Sequence, residues 1–267
     1  MKVFALNSRQ QLEPSELVSA YPWVVKNLEQ FAPLELQQRL NALNPNAYGK
    51  TRNDLSGAVS GLSPYIEHGL VSSEQVLDYV DHWVQAQGGT RQLAYHFLQQ
   101  LCWREFFQRK LAQAPEELWQ DIQPYKTGLA AHSYAQEMPQ DILQARTPDA
   151  VINHLVEQLA QTGYLHNHGR LYLAAYIVHW RRVKWQVGAR WMLLQLLDGN
   201  LASNNFSWQW VASTGANKPY FYNLENVQKF GRGYFTDEQL SEQANPSLVG
   251  SYEVLALRLF GTQEVGR

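Results

Sequence analysis

The sequence predicts an all-α protein, a single helical domain over residues 1–267, and three observations predict it. No stretch alternates β-branched with polar residues, so strand signals are scarce. No strand–helix–strand rhythm occurs, which sets aside a Rossmann-type nucleotide domain. Amphipathic helical periodicity, bounded by recognisable start and stop residues, recurs along the chain.

The first 47 or so residues read as helix. Ser72 and Gln75 form a capping box that opens SSEQVLDYVDHWVQAQ, and Gly88-Gly89 closes it. A further helix is expected from about Thr90 to Ala112. Residues 114–146, rich in Pro, Gln and Ala, read as a long irregular connection. Thr147-Pro148-Asp149 starts the next helix, with Ile152, Leu155, Val156 and Leu159 at i, i+3, i+4, i+7 and a stop at Gly163. LYLAAYIVHW, from Leu171, is apolar nearly all round and belongs at the centre of a domain. Another helix runs from near Gly188 through WMLLQLLD to a break at Gly199. The last forty or so residues, with Gly-Arg-Gly at 231–233, read as looser.

Composition excludes several classes. A net charge of −2 and a pI near 6.4 argue against a generally basic nucleic-acid coat protein. Charge is unevenly spread, however. Gln158 to Leu197 contains no Asp or Glu but has Arg170, Arg181, Arg182, Lys184 and Arg190. That strip suits a phosphate-bearing ligand or a solvated face whose acids come from elsewhere in the chain. Cys102 is the only cysteine, so neither an internal disulfide nor a cysteine zinc site can form, and it reads as a small buried apolar residue. His166 and His168 invite a metal or HNH-nuclease reading, but the helical context offers no ββα setting, and no metal is expected. MKVFALNSRQQ holds no apolar stretch long enough for a secretion signal, and no run approaches the roughly 20 apolar residues of a membrane span. A cytoplasmic location, with no membrane partner, is the simplest expectation.

The passage that carries chemistry is DGNLASNNFSWQWVASTG, residues 198–215. Asp198, Asn200, Ser203, Asn204 and Asn205 follow an apolar helix directly and sit among tryptophans. Buried polar groups must be paired, and so many together point to a bound ligand as the partner. Upstream, HNHGR puts Asn167 and Arg170 at the head of the buried helix, where helix N-termini and arginine both favour anions.

GLSPYIEHG (61–69), WREF (103–106), HN-x-x-R (166–170), DGN-LASNN-xx-WQW (198–210) and ASTG-xxx-PYF (212–221) stand in an order and spacing that resembles the FAD-binding domain of DNA photolyases and cryptochromes, most closely over 48–221. The resemblance implies a helical fold around a U-shaped FAD. It implies that Tyr48 and the turn Val59, Ser60, Gly61, Leu62, Ser63 grip the FAD phosphates, with Arg104 and Asn167 also at the cofactor. Arg170 and Asp198 match the family's buried ion pair beside the flavin. Asn200 stands where a second Asp is usual, and Asn204 matches the residue facing flavin N5. Trp208 and Trp185 match the inner members of the family's electron-relaying tryptophans. Core packing is the other reading of Trp180, Trp185 and Trp191. For the outer member, an ungapped count arrives at His132, with Tyr134 and Trp119 nearby.

The implied substrate pocket has departures. Trp103 and Trp210 match the aromatic walls for a flipped pyrimidine dimer. Gln100 stands for a glutamate aimed at the dimer, His168 for a basic residue, and Leu171 for a methionine. Too little chain precedes the first motif for the family's N-terminal antenna domain, so FAD is expected to absorb the light itself. The implied function is light-driven repair of pyrimidine dimers by electron transfer from reduced FAD. Damaged DNA is the partner, single-stranded in preference to duplex, because His168 removes a phosphate contact. The alternative is a blue-light sensor that signals to a partner protein by flavin photoreduction. A flavin-free helical module is a third reading, opposed by Asp198, Arg170 and Asn204.

Overall fold

The computed structural model describes residues 33–261. Among them are twelve α-helices, short 3-10 turns and two isolated β-bridges, Ala135–Val183 and Arg232–Phe235, with no longer strand. The helical reading of the N-terminal segment holds for α1 (Pro33–Asn41) and α2 (Pro45–Thr51). Its part over residues 1–32 lies outside the described residues.

Helix α3 spans Ser63–Glu67 and α4 spans Ser73–Ala86. The capping box is formed: Gln75 N–H donates to Ser72 Oγ at 3.1 Å and Ser72 N–H to Gln75 Oε1 at 2.8 Å. Val76, Val80 and Val84 make its buried stripe. The expected Thr90–Ala112 helix opens as a 3-10 turn, Arg91–Ala94, before α5, Tyr95–Gln113. The irregular connection after it contains one short helix, α6 (Gln140–Leu143), and is pinned by the stacked rings of Tyr125 and Tyr134, 4.3 Å apart.

Helix α7 (Ala150–Thr162) ends as its sequence dictates, with Gly163 at φ 65° donating to Leu159 O. Helix α8 (Asn167–Ala175) runs on through a π turn, Tyr176–Trp180, and Tyr172 to His179 are buried throughout. Helix α9 (Trp185–Gln195) starts three residues before Gly188, because the Lys184 carbonyl takes up the Val187 and Gly188 N–H groups. Helix α10 (Leu201–Ala212) is capped by Asn200, whose Oδ1 accepts Ser203 N–H at 2.9 Å.

Two expectations are corrected. The C-terminal part is irregular over 232–251 but is not loose throughout the described residues: α11 (Leu224–Gly231) and α12 (Tyr252–Phe260) are capped by Asn223 and Ser251 and bury Leu224, Val227, Leu255 and Leu259. Each is too short for its periodicity to stand out in sequence. Cys102 is exposed, not buried, because it lies on the outward stripe of α5 with Glu105, Phe106 and Arg109.

Four apolar clusters result among the described residues, two of them large. The larger joins α7, α8, α9 and α10 through residues such as Leu155, Leu173, Ile177, Trp185 and Trp208. The smaller joins α1, α3, α4 and the start of α5 through Leu40, Tyr65, Val80 and Phe97. The basic strip draws its acids from elsewhere in the chain: Arg170 pairs with Asp198 at 2.8 Å, and Arg181 makes a two-pronged pair with Asp141. Among the described residues no helix is long and apolar enough to cross a membrane.

Candidate functional site

Three helical stripes, each at i, i+3/4, i+7 spacing, converge on one cavity between the two cores. From α5 come Gln100, Trp103, Arg104 and Phe107; from α8, Asn167, Arg170, Leu171 and Ala174; from α10, Asn204, Trp208 and Val211, with Ser203 and Ser207 beside them. The cavity has two lobes of about 520 and 960 Å³, open mouths included, which share Asn167, Arg170, Asp198, Asn200, Ser203 and Ser207. Tyr48, Ser60, Leu62 and Ser63 line the larger lobe, so the 60–63 turn faces the α8 and α10 groups across it. Gly61 opens instead onto an adjoining cleft with Arg39, and Val59 lines neither lobe.

Electrostatics concentrate where the lobes meet. Arg170 Nη2 donates to Asp198 Oδ2 at 2.8 Å, and Arg170 Nε donates to Leu165 O at 2.9 Å. Burial pulls the Arg170 guanidinium down, but the field and hydrogen bond of Asp198 outweigh it, so its pKa rises. The second carboxylate oxygen, Asp198 Oδ1, is buried without a hydrogen-bond partner. A buried carboxylate oxygen in that state is an acceptor for an incoming N–H or O–H group. Burial lowers His166 to about 4, so its ring is neutral; its Nδ1 accepts His168 N–H, and its Nε2 is also buried and unpartnered.

Asn200 is engaged within the protein. Its Nδ2 donates to Glu67 Oε2 at 2.9 Å, and its Oδ1 accepts Gln108 Nε2 as well as the α10 cap. Glu67 also binds Arg104 at 2.6 Å. Glu67 is thus the hub of a network that joins α3, α5 and α10; its signal was its place inside SPYIEHG. Asn204 Nδ2 donates to Ala189 O at 3.0 Å, leaving Oδ1 as the end with capacity to spare.

His168 does not reach this cavity. It is buried, its Nδ1 lies 2.6 Å from Asn53 O, and its ring packs on Tyr172 and Phe230. Burial lowers its pKa, and the reading of His168 as a residue facing DNA is corrected: it ties α8 to the 53–54 loop. Trp210 also stays outside the lining. It continues the Ser203–Ser207 stripe outward, 46 % exposed, beside Tyr220, while Trp103, equally exposed, stands on the rim of the larger lobe. Trp208 forms part of the cavity wall, and Trp185 lies fully buried behind it on α9. His132 makes no ring contact with Trp185, whereas Trp119 stacks on it, centroids 6.3 Å apart and planes within 3°.

The family described as the FAD binding domain of DNA photolyase matches residues 97–242, more than half of the chain. The chain belongs to that family. A deoxyribodipyrimidine photo-lyase of Streptomyces griseus is 35 % identical over 63 % of the chain, and a cryptochrome DASH of Vibrio parahaemolyticus is 30 % identical over 74 %. The chain spans 35 % and 44 % of those two relatives' lengths. In fold it is similar to a bacterial class III photolyase from Agrobacterium tumefaciens, with a TM-score of 0.67 at 22 % identity, covering 93 % of this chain and 51 % of that one.

FAD is the cofactor that membership in the photolyase FAD-binding family indicates. The residues present fit it: a buried, unpartnered acceptor on Asp198, a partly buried cation on Arg170 and serine hydroxyls across the larger lobe are a donor–acceptor set for a flavin dinucleotide.

Proposed function

We propose that the chain is a light-driven flavoprotein that repairs UV-induced pyrimidine dimers by electron transfer and prefers single-stranded DNA. The observation that carries this reading is the unpartnered Asp198 Oδ1 beside Arg170, in a cavity walled by Trp208 and rimmed by Trp103. When bound, FAD would supply light absorption and one-electron chemistry. The chain's own residues do the rest. Asp198 Oδ1 would accept a ring N–H, Arg170 would hold negative charge on the ring system, and Asn204 Oδ1 would face a ring nitrogen that gains or loses a proton. Ser60 and Ser63, with Tyr48, would bind the phosphates, and Asn167 would add an amide between the lobes.

Trp103 would stack on the flipped pyrimidine dimer at the rim, where such stacking is worth roughly 1–3 kcal/mol per base, and Gln100 would hydrogen-bond its carbonyls. Trp210, exposed one turn beyond the lining, would form the outer wall. A neutral, buried His168 offers no phosphate contact, which supports weak duplex binding. The test is illumination of chemically reduced, FAD-loaded protein with dimer-containing oligonucleotides, single-stranded and duplex. Repair is expected on both, faster on single strands; no restored thymine on either form overturns the reading.

A second reading, a blue-light sensor that signals to a partner through its flavin's redox state, is favoured by Gln100, an uncharged amide on the cavity wall. Photoreduction without repair, together with light-dependent capture of a partner, would select it.

A further inference from the structure

Trp185 is wholly buried, yet its indole N–H meets a surface group: Nε1 donates to Asp121 Oδ1 at 2.6 Å. Gln186 Nε2 holds the same oxygen at 3.0 Å, and Asp121 itself is exposed to water. On the outer face of Trp185 lies the parallel ring of half-buried Trp119, and the Arg190 guanidinium carbon stands 5.1 Å from the Trp119 ring centre. On the cavity side, Trp208 packs so closely on Gly188, one turn along α9 from Trp185, that a Cβ there would come within 2.4 Å of its ring. Trp208 thus lines the cavity and packs on the helix that carries Trp185, and Trp119 stacks on Trp185, with an anion bound to Trp185 and a cation over Trp119.

An indole that has lost an electron carries positive charge and a strongly acidic N–H. A hydrogen-bonded carboxylate stabilises that charge and can take the proton, whereas a guanidinium over the ring face opposes it. Both charges therefore draw the electron vacancy to Trp185.

We propose that Asp121 is the proton acceptor of this tryptophan row, so that oxidation of the row ends on Trp185 as a neutral indolyl radical and not on Trp119. The proposal rests on the flavin reading above. One electron leaves Trp185, by way of Trp208, for a photoexcited oxidised flavin in the cavity. The indole N–H bond breaks and its proton joins Asp121 Oδ1. An added thiolate later gives one electron to the ring and becomes a thiyl radical while Asp121 returns the proton; Trp185 and Asp121 regain their starting state, and the flavin side keeps the electron it received. Because Asp121 faces water, the proton of a fully buried ring has a way out.

Transient visible absorption after a flash tests this in the FAD-loaded 267-residue chain, since the neutral indolyl radical and the indole radical cation absorb in different bands. The neutral band is expected in the unmodified protein and in Trp119→Phe, and its loss is expected in Trp185→Phe. In Asp121→Asn, which keeps an acceptor oxygen, it should be replaced by a shorter-lived radical-cation band. In the same samples kept dark, the Trp185 indole N–H proton resonance should move upfield in Asp121→Asn. A neutral band that survives Asp121→Asn unchanged, or that vanishes in Trp119→Phe, overturns this proposal alone. Failure of the unmodified, flavin-loaded protein to give any tryptophan radical overturns this proposal and leaves the flavin reading standing, whereas a protein that takes up no FAD overturns both.

Discussion

Arg170 and Asp198 share one hydrogen bond, Nη2 to Oδ2 at 2.8 Å, and leave the other carboxylate oxygen buried without a partner. An intramolecular pair that served packing alone would satisfy both oxygens. The arrangement instead holds an anion in place at the junction of the two lobes, with one acceptor left over for a ligand.

Asp198→Asn should therefore do two things. It leaves the Arg170 guanidinium without its counter-charge, which costs roughly 2–4 kcal/mol of folding stability for a largely buried pair. It also removes the charged acceptor, so flavin binding should weaken severely. Urea denaturation and the flavin content of the purified variant measure the two effects separately.

Gly188→Ala should disturb the site from behind. The added Cβ would meet Trp208 Cη2 at 2.4 Å and Cζ3 at 2.5 Å, and overpacking of this kind costs about 1–3 kcal/mol. Trp208 forms part of the cavity wall, so its displacement should lower flavin affinity without touching a hydrogen-bonding residue. Equilibrium flavin titration beside a thermal melt checks this.

Burial holds His166 and His179 at about 4, well below the ordinary 6.5. The unfolded chain therefore binds more protons than the folded one between those values. Stability is complete above pH 6.5 and falls as pH drops towards 4, by up to about 3 kcal/mol for each histidine. Asp141, whose pKa lies below 3.8 because Arg181 pairs with it, adds its loss only at lower pH. Urea unfolding from pH 7 to pH 4 should show the decline, and His179→Gln should flatten it.

Local chemistry made much of the fold legible. The Ser72–Gln75 box, the Gly163 stop and the all-round apolar 171–180 segment each fix their structure within a few residues. HNHGR placed Asn167 and Arg170 at the head of the buried helix, whereas Leu171 entered as a site residue only through the family resemblance. What was not legible depends on contacts across the chain. Cys102 neighbours an apolar stretch yet faces water, because α5 turns Trp103 and Phe107 to the cavity instead. His168 follows a motif asparagine yet is captured by the Asn53 carbonyl, 115 positions away. The Trp119–Trp185 stack joins two segments whose pairing no local pattern encodes. Glu67 was visible as a letter in a motif, but its role as hub required the meeting of α3, α5 and α10.

Gln100 lines the larger lobe without charge. Gln100→Glu should raise the yield of dimer repair, by up to about tenfold where a charged hydrogen bond adds roughly 1.4 kcal/mol over a neutral one. Repair per absorbed photon, compared at equal flavin loading, is the measurement.

The central claim is that the cavity between the two cores holds FAD, and the visible absorption spectrum of the purified protein tests it most directly. The account predicts a yellow protein whose released chromophore is FAD at about one per chain, bleached by blue light in the presence of a reductant. A colourless protein that takes up no FAD when it is supplied would contradict it.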